Sequence, residues 1–173
     1  MSTRESDCRY DASGAIRLAY PPSQLQTLHR VLLDFDADAI TTPNIWGCLW
    51  GKLAYGAQLF ATALTHESIA EAFADANYRG VYIALAQEIL RVAIANQITP
   101  ERFNGFDPAA FMPGARYERV LKSLQEMSRF NRQSAKTHSG VWRDLAVRKR
   151  RTEAEHQLGL SSRMGSIWVC PRR

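Results

Sequence analysis

Apolar positions recur at helical spacing along most of the chain, and that spacing sets the first expectations. Between Asn44 and Leu64, the residues Trp46, Leu49, Trp50, Leu53, Ala57, Phe60 and Leu64 fall on one stripe when read at about 100° per residue. Gly47, Gly51, Ala54 and Gln58 form a neighbouring strip of small residues that would let another helix approach closely. Lys52 lies on neither strip. It shares its flank with Ile45, Gly56, Leu59 and Ala63, which aims its ammonium into a crevice rather than open water. A lysine is rarely buried without a partner, so this position draws attention to chemistry.

The flanking pattern predicts further elements. Residues 1–14 are polar and read as a disordered N-terminus. Ala15 to Tyr20 alternates like a short strand and is stopped by Pro21 and Pro22. Ser23 can cap a helix carrying Leu25, Leu28, Val31, Leu32 and Phe35. Ala39 to Thr42 is a possible second strand, and Pro43 opens the long apolar helix. Glu67 to Ile98 reads as one long helix with Ile69, Phe73, Ala76, Ile83, Leu90 and Ile94 on its buried stripe. Thr99 to Gly114 holds three Pro and two Gly and reads as a loop of the length that often carries function. Arg116 to about Ala135 is a helix with Tyr117, Val120, Leu121, Leu124 and Met127 inward. Ser139 can cap a helix over Val141–Arg150, and another follows over Thr152–Leu158. Periodicity is lost after Gly159, so 160–173 reads as an irregular tail.

Composition narrows the class. The 173 residues are 46% hydrophobic, enough for one domain with a core. No apolar run reaches the length of a membrane span, and the first residues lack the apolar core of a secretory signal. Cys8, Cys48 and Cys170 match neither a disulfide framework nor a zinc spacing, which suits a reducing cytoplasm. The net charge of +5 is uneven: Arg129 to Arg173 holds eleven basic residues against three acids. Such an end can bind anions, but it is more often a solvated face. The run Arg148-Lys149-Arg150-Arg151 has little aromatic interleaving, so nucleic-acid binding is not expected. His29, His66, His138 and His156 have no metal-ligand spacing, and no metal site is expected. The chain contains no glycine-rich dinucleotide or P-loop signature.

The late segment around Ser139 has ordinary readings for each residue taken alone. Ser139 is a helix cap, Asp144 is a surface partner of Arg148 four residues on, and Glu153 complements the dipole of the last helix. Taken together with Trp50-Gly-Lys52-Leu-Ala54, the segment Ser139 to Asp144 followed by Thr152-Glu153 resembles the C-terminal helical domain of the ketopantoate reductase (2-dehydropantoate 2-reductase) family. The resemblance runs from about Ile16 to Gly159 and is most specific over Asn44–Thr65 and His138–Glu155.

The resemblance implies a mainly α fold: a helical bundle over 43–159, dedicated to substrate binding and dimerisation, with 15–42 as a short β-α-β remnant of the dinucleotide-binding domain. It implies a cytoplasmic oxidoreductase of pantothenate biosynthesis, in which NADPH reduces a small 2-keto acid. Lys52 matches the family's lysine, which polarises the carbonyl and donates a proton, and Glu153 matches its glutamate. The substrate-binding serine falls at Ser139, with Gly140 as the other candidate. These residues should converge on one concave face, with Glu153 helping to keep Lys52 charged. Two departures alter the expected substrate, because Gly56 and Phe60 stand where the family has asparagines. The nucleotide-binding half and the family's final helix have no counterpart here, as in a truncated or frame-disrupted reading frame. Such a chain should not bind NADPH alone, and should act with a separate Rossmann half or as a homodimer. The competing expectation is a non-catalytic, all-α interaction or dimerisation module.

Overall fold

The computed structural model describes residues 22–159, and within them the chain is mainly α with no strand. The expected strand at 15–20, the N-terminus before it and the tail at 160–173 lie outside the described residues. The second expected strand does not form: residues 39–42 are irregular. No neighbouring strand is present among the described residues to pair with them, and the Ala39 carbonyl instead accepts a hydrogen bond from His29 Nε2 at 2.8 Å. Helix α1 spans Pro22–Leu33. Ser23 is therefore inside it rather than capping it, because proline suits the first helical position, where its missing N–H would have no helical partner. Phe35 lies beyond the helix and is 83% exposed.

Helix α2 spans Ile45–Thr62, and Asn44 caps it by accepting from Gly47 N at 3.1 Å. The same side chain donates to the Thr99 carbonyl at 2.9 Å and to Glu101 Oε1 at 2.7 Å. The small-residue strip does admit a close neighbour, but that neighbour is the segment 99–101 and not a helix. A Cβ on Gly47 would lie 2.3 Å from Thr99 O, and one on Gly51 would lie 2.0 Å from Glu101 O. The apolar stripe is split by this arrangement. Trp50 and Ala57 are buried, whereas Trp46, Leu49 and Leu64 are exposed.

The stretch expected as one helix from Glu67 is two. Helix α3, Ile69–Ala74, starts at a capping box in which Ser68 and Glu71 bond reciprocally. Asp75 then adopts an extended conformation and its carboxylate accepts from Asn77 N at 2.8 Å, forming a short 3-10 turn over Ala76–Tyr78 before α4, Arg79–Ala95. Asp competes with the helical backbone in this way because its short side chain reaches nearby N–H groups. The break lets Tyr82 fold back and donate to the Ala72 carbonyl at 3.1 Å. Helix α2 packs on α4, and α3 packs on α5, Tyr117–Arg132.

The segment from Thr99 to Gly114 is more than a surface loop. Phe103, Phe106 and Phe111 are buried in the core, with Phe106 and Phe111 stacked at 5.0 Å. Each buried aromatic of this size contributes roughly 1.5–3 kcal/mol. Tyr55, Phe73 and Tyr82 continue the cluster through tilted and edge-on contacts at 6.2 Å and 5.0 Å. In α5, Val120, Leu124 and Met127 are buried as expected, but Tyr117 is exposed. After it, Ser139 caps the turn α6, Gly140–Trp142, which runs on as a π turn over Arg143–Val147, and residues 154–159 are helical. Among the described residues no helix is long and apolar enough to cross a membrane.

Candidate functional site

Lys52 projects from the middle of α2 into a groove of about 550 Å³, within the range of small-molecule sites. Leu53, Gly56 and Leu59 of α2 form one wall, with Phe103 and Asn104 from the loop and Phe130 and Asn131 from the end of α5. Lys136, from the segment after α5, and Gln157, from the last helical turn, complete the rim. Among the described residues, two ammonium groups and several amides line the groove, and no carboxylate does. That balance favours an anion. A wider depression of about 900 Å³ lies over residues 102–126, where Arg119 pairs with Asp107 at 2.9 Å and Arg102 with Glu126 at 3.7 Å.

Partial burial sets the acidity of Lys52, pushing its pKa below the ordinary lysine value of 10.5 and making its ammonium the more willing proton donor. Tyr55, at the foot of the groove, is shifted the other way. Burial raises its pKa, although a hydrogen bond with Asn131 opposes the shift. Tyr55 and Asn131 bond each other at 3.0–3.2 Å, and Asn131 also donates to the Met127 carbonyl, so this pair ties α2 to α5. Asn104 is different. Its backbone has φ 50, its neighbour Gly105 has φ 84, and Phe103 and Phe106 pair across them. This is the geometry of a two-residue hairpin turn, for which Asn-Gly is the favoured sequence. The turn sets the Asn104 amide at the groove, and no hydrogen bond engages that amide among the described residues.

The other sequence-derived residues occupy distinct places. Ser139 is buried and accepts from Trp142 N at 3.1 Å, so its hydroxyl acts as a helix cap; it does not line the groove. Trp142 donates to the Thr65 carbonyl at 3.0 Å and stacks on His138 at 4.0 Å, pinning this turn to the end of α2. Gly140 is half-buried in the same turn. Glu153 is exposed, and its carboxylate accepts from Gln157 Nε2 at 2.8 Å. Gln157 lines the groove, so Glu153 reaches it through that amide; among the described residues no ion pair joins Glu153 to Lys52. Asp144 is held by Arg148 and Arg150, both 2.9 Å from one carboxylate oxygen, and these contacts lower its pKa. Two cations of the basic run are thereby engaged within the fold.

Sequence reasoning picked out Lys52 but not Asn104, Lys136 or Gln157 as its neighbours. The Asn-Gly dipeptide between two phenylalanines was the one local signal for Asn104. Cys48 is disulfide-bonded, which corrects the expectation that the three cysteines form no disulfide; Cys8 and Cys170 both lie outside the described residues. Separation along the chain does not measure separation in space. No group of three or more His, Cys, Asp or Glu that could hold a metal ion occurs among the described residues. The chain matches no family model, and no curated protein or solved structure matches it at a significant level.

Proposed function

We propose that this chain is the substrate-binding, proton-donating half of a 2-oxo acid reductase of the ketopantoate reductase type. The observation that carries the reading is the groove itself, which Lys52 and Lys136 both line. An anionic acid is attracted by the paired ammonium groups. Lys52 then faces the oxo oxygen, polarises it, and supplies a proton as negative charge develops there. Its lowered pKa favours that transfer. Ser139 and Glu153 serve this site by position: Ser139 fixes the turn against α2, and Glu153 orients Gln157 at the rim.

The reading assigns hydride transfer to NADPH, and the residues here do not fit that cofactor. A dinucleotide site is built on a strand leading into a glycine-rich turn; the sequence contains no such turn and the described residues contain no strand. No hydride step is therefore assigned to this chain, and a separate Rossmann half would supply it. The test is calorimetric titration of the full chain with a 2-oxo acid and with the same acid lacking the oxo group. The native chain should prefer the oxo acid, and Lys52→Met should erase the preference. Equal affinity for both acids in the native chain would overturn the reading.

A second reading, an interaction or homodimerisation module, is favoured by the exposure of Trp46 at 49% and Leu49 at 38%, one turn apart on α2. Sedimentation of native chain against Trp46→Glu separates it, since a dimer using this face would dissociate in the variant.

A further inference from the structure

A second depression, of about 370 Å³, is bordered by α3, α4 and α5 and shares no lining residue with the Lys52 groove. Arg79, Arg129 and Arg132 line it, and among the described residues no carboxylate lines it with them. Arg129 and Arg132 stand in the last turn of α5, where a cation suits the helix dipole. Arg79 is different. It is the first residue of α4, where a cation meets the positive end of the dipole, so the helix gains nothing from its charge. Among the described residues no hydrogen bond or ion pair engages any of the three guanidinium groups. Hydrogen bonds from Ser68 hold the Glu71 carboxyl below its ordinary value, and the charge of Arg132 adds to them without an ion pair; Glu71 does not line the depression. Leu121, Gln125, Arg129 and Arg132 recur at helical spacing, so one face of α5 carries an apolar group, an amide and two guanidinium groups in turn. Ala74 of α3 is exposed and Leu121 half-buried, so the apolar side of the depression reaches solvent.

We propose that this depression binds a phosphate monoester whose organic group is small and apolar. Guanidinium groups present planar forks of donors that match phosphoryl oxygens, and three of them from two helices suit a dianion better than a single carboxylate. Gln125 supplies a further donor that no hydrogen bond engages among the described residues. The apolar group of the ester lies along Leu121 and Ala74, a surface that free phosphate would leave wet. The volume is at the small end of the range for small-molecule sites. The site is independent of the reading of Lys52 and of the oxo acid.

The experiment is calorimetric titration of the full chain with phenyl phosphate, inorganic phosphate and benzoate. Phenyl phosphate should bind at least about tenfold more tightly than either of the others, since only it offers both the dianion and the apolar group. Arg129→Gln should weaken it by about tenfold or more. Arg79→Gln should do the same while melting no lower than native, because it removes a cation from the positive end of α4. Lys136→Gln, in the other groove, should leave phenyl phosphate binding unchanged. Absence of saturable binding by the native chain at millimolar phenyl phosphate, or folded Arg79→Gln and Arg129→Gln variants that bind it as well as native, overturns the site. Loss of binding in Lys136→Gln does so too, since it places the ligand in the Lys52 groove. Inorganic phosphate bound as tightly as phenyl phosphate overturns the monoester assignment, and benzoate bound as tightly overturns the phosphate.

Discussion

Two glycine-to-alanine changes in one helix should move stability in opposite directions. Helix propensity alone favours both, by about 0.8–1 kcal/mol each. At Gly56 nothing among the described residues opposes that gain, since a methyl group would meet none of their atoms within 4 Å. At Gly51 the new Cβ would sit 2.0 Å from the Glu101 carbonyl oxygen, where ordinary contact begins at 3.4 Å. The carbonyl would have to retreat by about 1.4 Å to restore that contact. It is not free to do so, because Glu101 N donates to the Gly47 carbonyl at 2.9 Å and Asn44 holds the Glu101 carboxylate at 2.7 Å. Overpacking of this kind costs about 1–3 kcal/mol, and a broken hydrogen bond adds about 1 kcal/mol. Gly51→Ala should therefore be destabilised by roughly 1–3 kcal/mol net after the propensity gain. For a chain of this length each kcal/mol shifts Tm by about 2–4 °C. Thermal and urea unfolding followed by circular dichroism should show Gly56→Ala melting higher than native and Gly51→Ala melting lower. Equal stabilisation of both variants would refute the packing of 99–101 against α2.

Other outcomes follow from single contacts. Tyr82→Phe removes the hydrogen bond to the buried Ala72 carbonyl and should cost about 1–2 kcal/mol by urea unfolding at neutral pH. Burial raises the pKa of Tyr55 and Tyr82 above the unfolded value of 10.0, so their contribution is fully present below pH 10 and lost as pH rises beyond it; Tyr82→Phe should blunt that alkaline loss. The lowered pKa of Asp144 works at the other end: its ion pairs stabilise above the ordinary value of 3.8 and are lost as pH falls through the depressed one, a loss that Asp144→Asn should remove from the acid unfolding profile. Cys48 should resist alkylation in the unfolded chain until reductant is added, as read by mass spectrometry.

What the sequence revealed was what depends on local pattern. The span of α2 and the unusual setting of Lys52 followed from helical spacing alone. The cap at Ser139 and the pairing of Asp144 with Arg148 did as well. The break at Asp75 was hidden because apolar periodicity continues across it; only the capping-box spacing of Ser68 and Glu71 marked where α3 begins. The burial of Phe103, Phe106 and Phe111 was hidden by the proline and glycine around them, which read as surface loop. The partner of the small-residue strip proved to be extended chain, since glycine marks a close approach without naming what approaches. The groove itself draws on α2, the Asn104 turn, the end of α5 and the last helical turn. Segments so far apart in sequence meet only through tertiary packing, and no spacing rule reports that.

The central claim is that Lys52 polarises the oxo group of a bound 2-oxo acid. The direct measurement is the ¹³C chemical shift of the ligand's C2 carbon, recorded with 4-methyl-2-oxopentanoate labelled at C2 and bound to the full chain. Polarisation of the carbonyl by the ammonium should move the resonance downfield on binding to native protein. In Lys52→Met, the shift should return to the free value while the Lys136 contact still retains the acid. An unshifted resonance in the native complex, or the same downfield shift in Lys52→Met, would contradict the account.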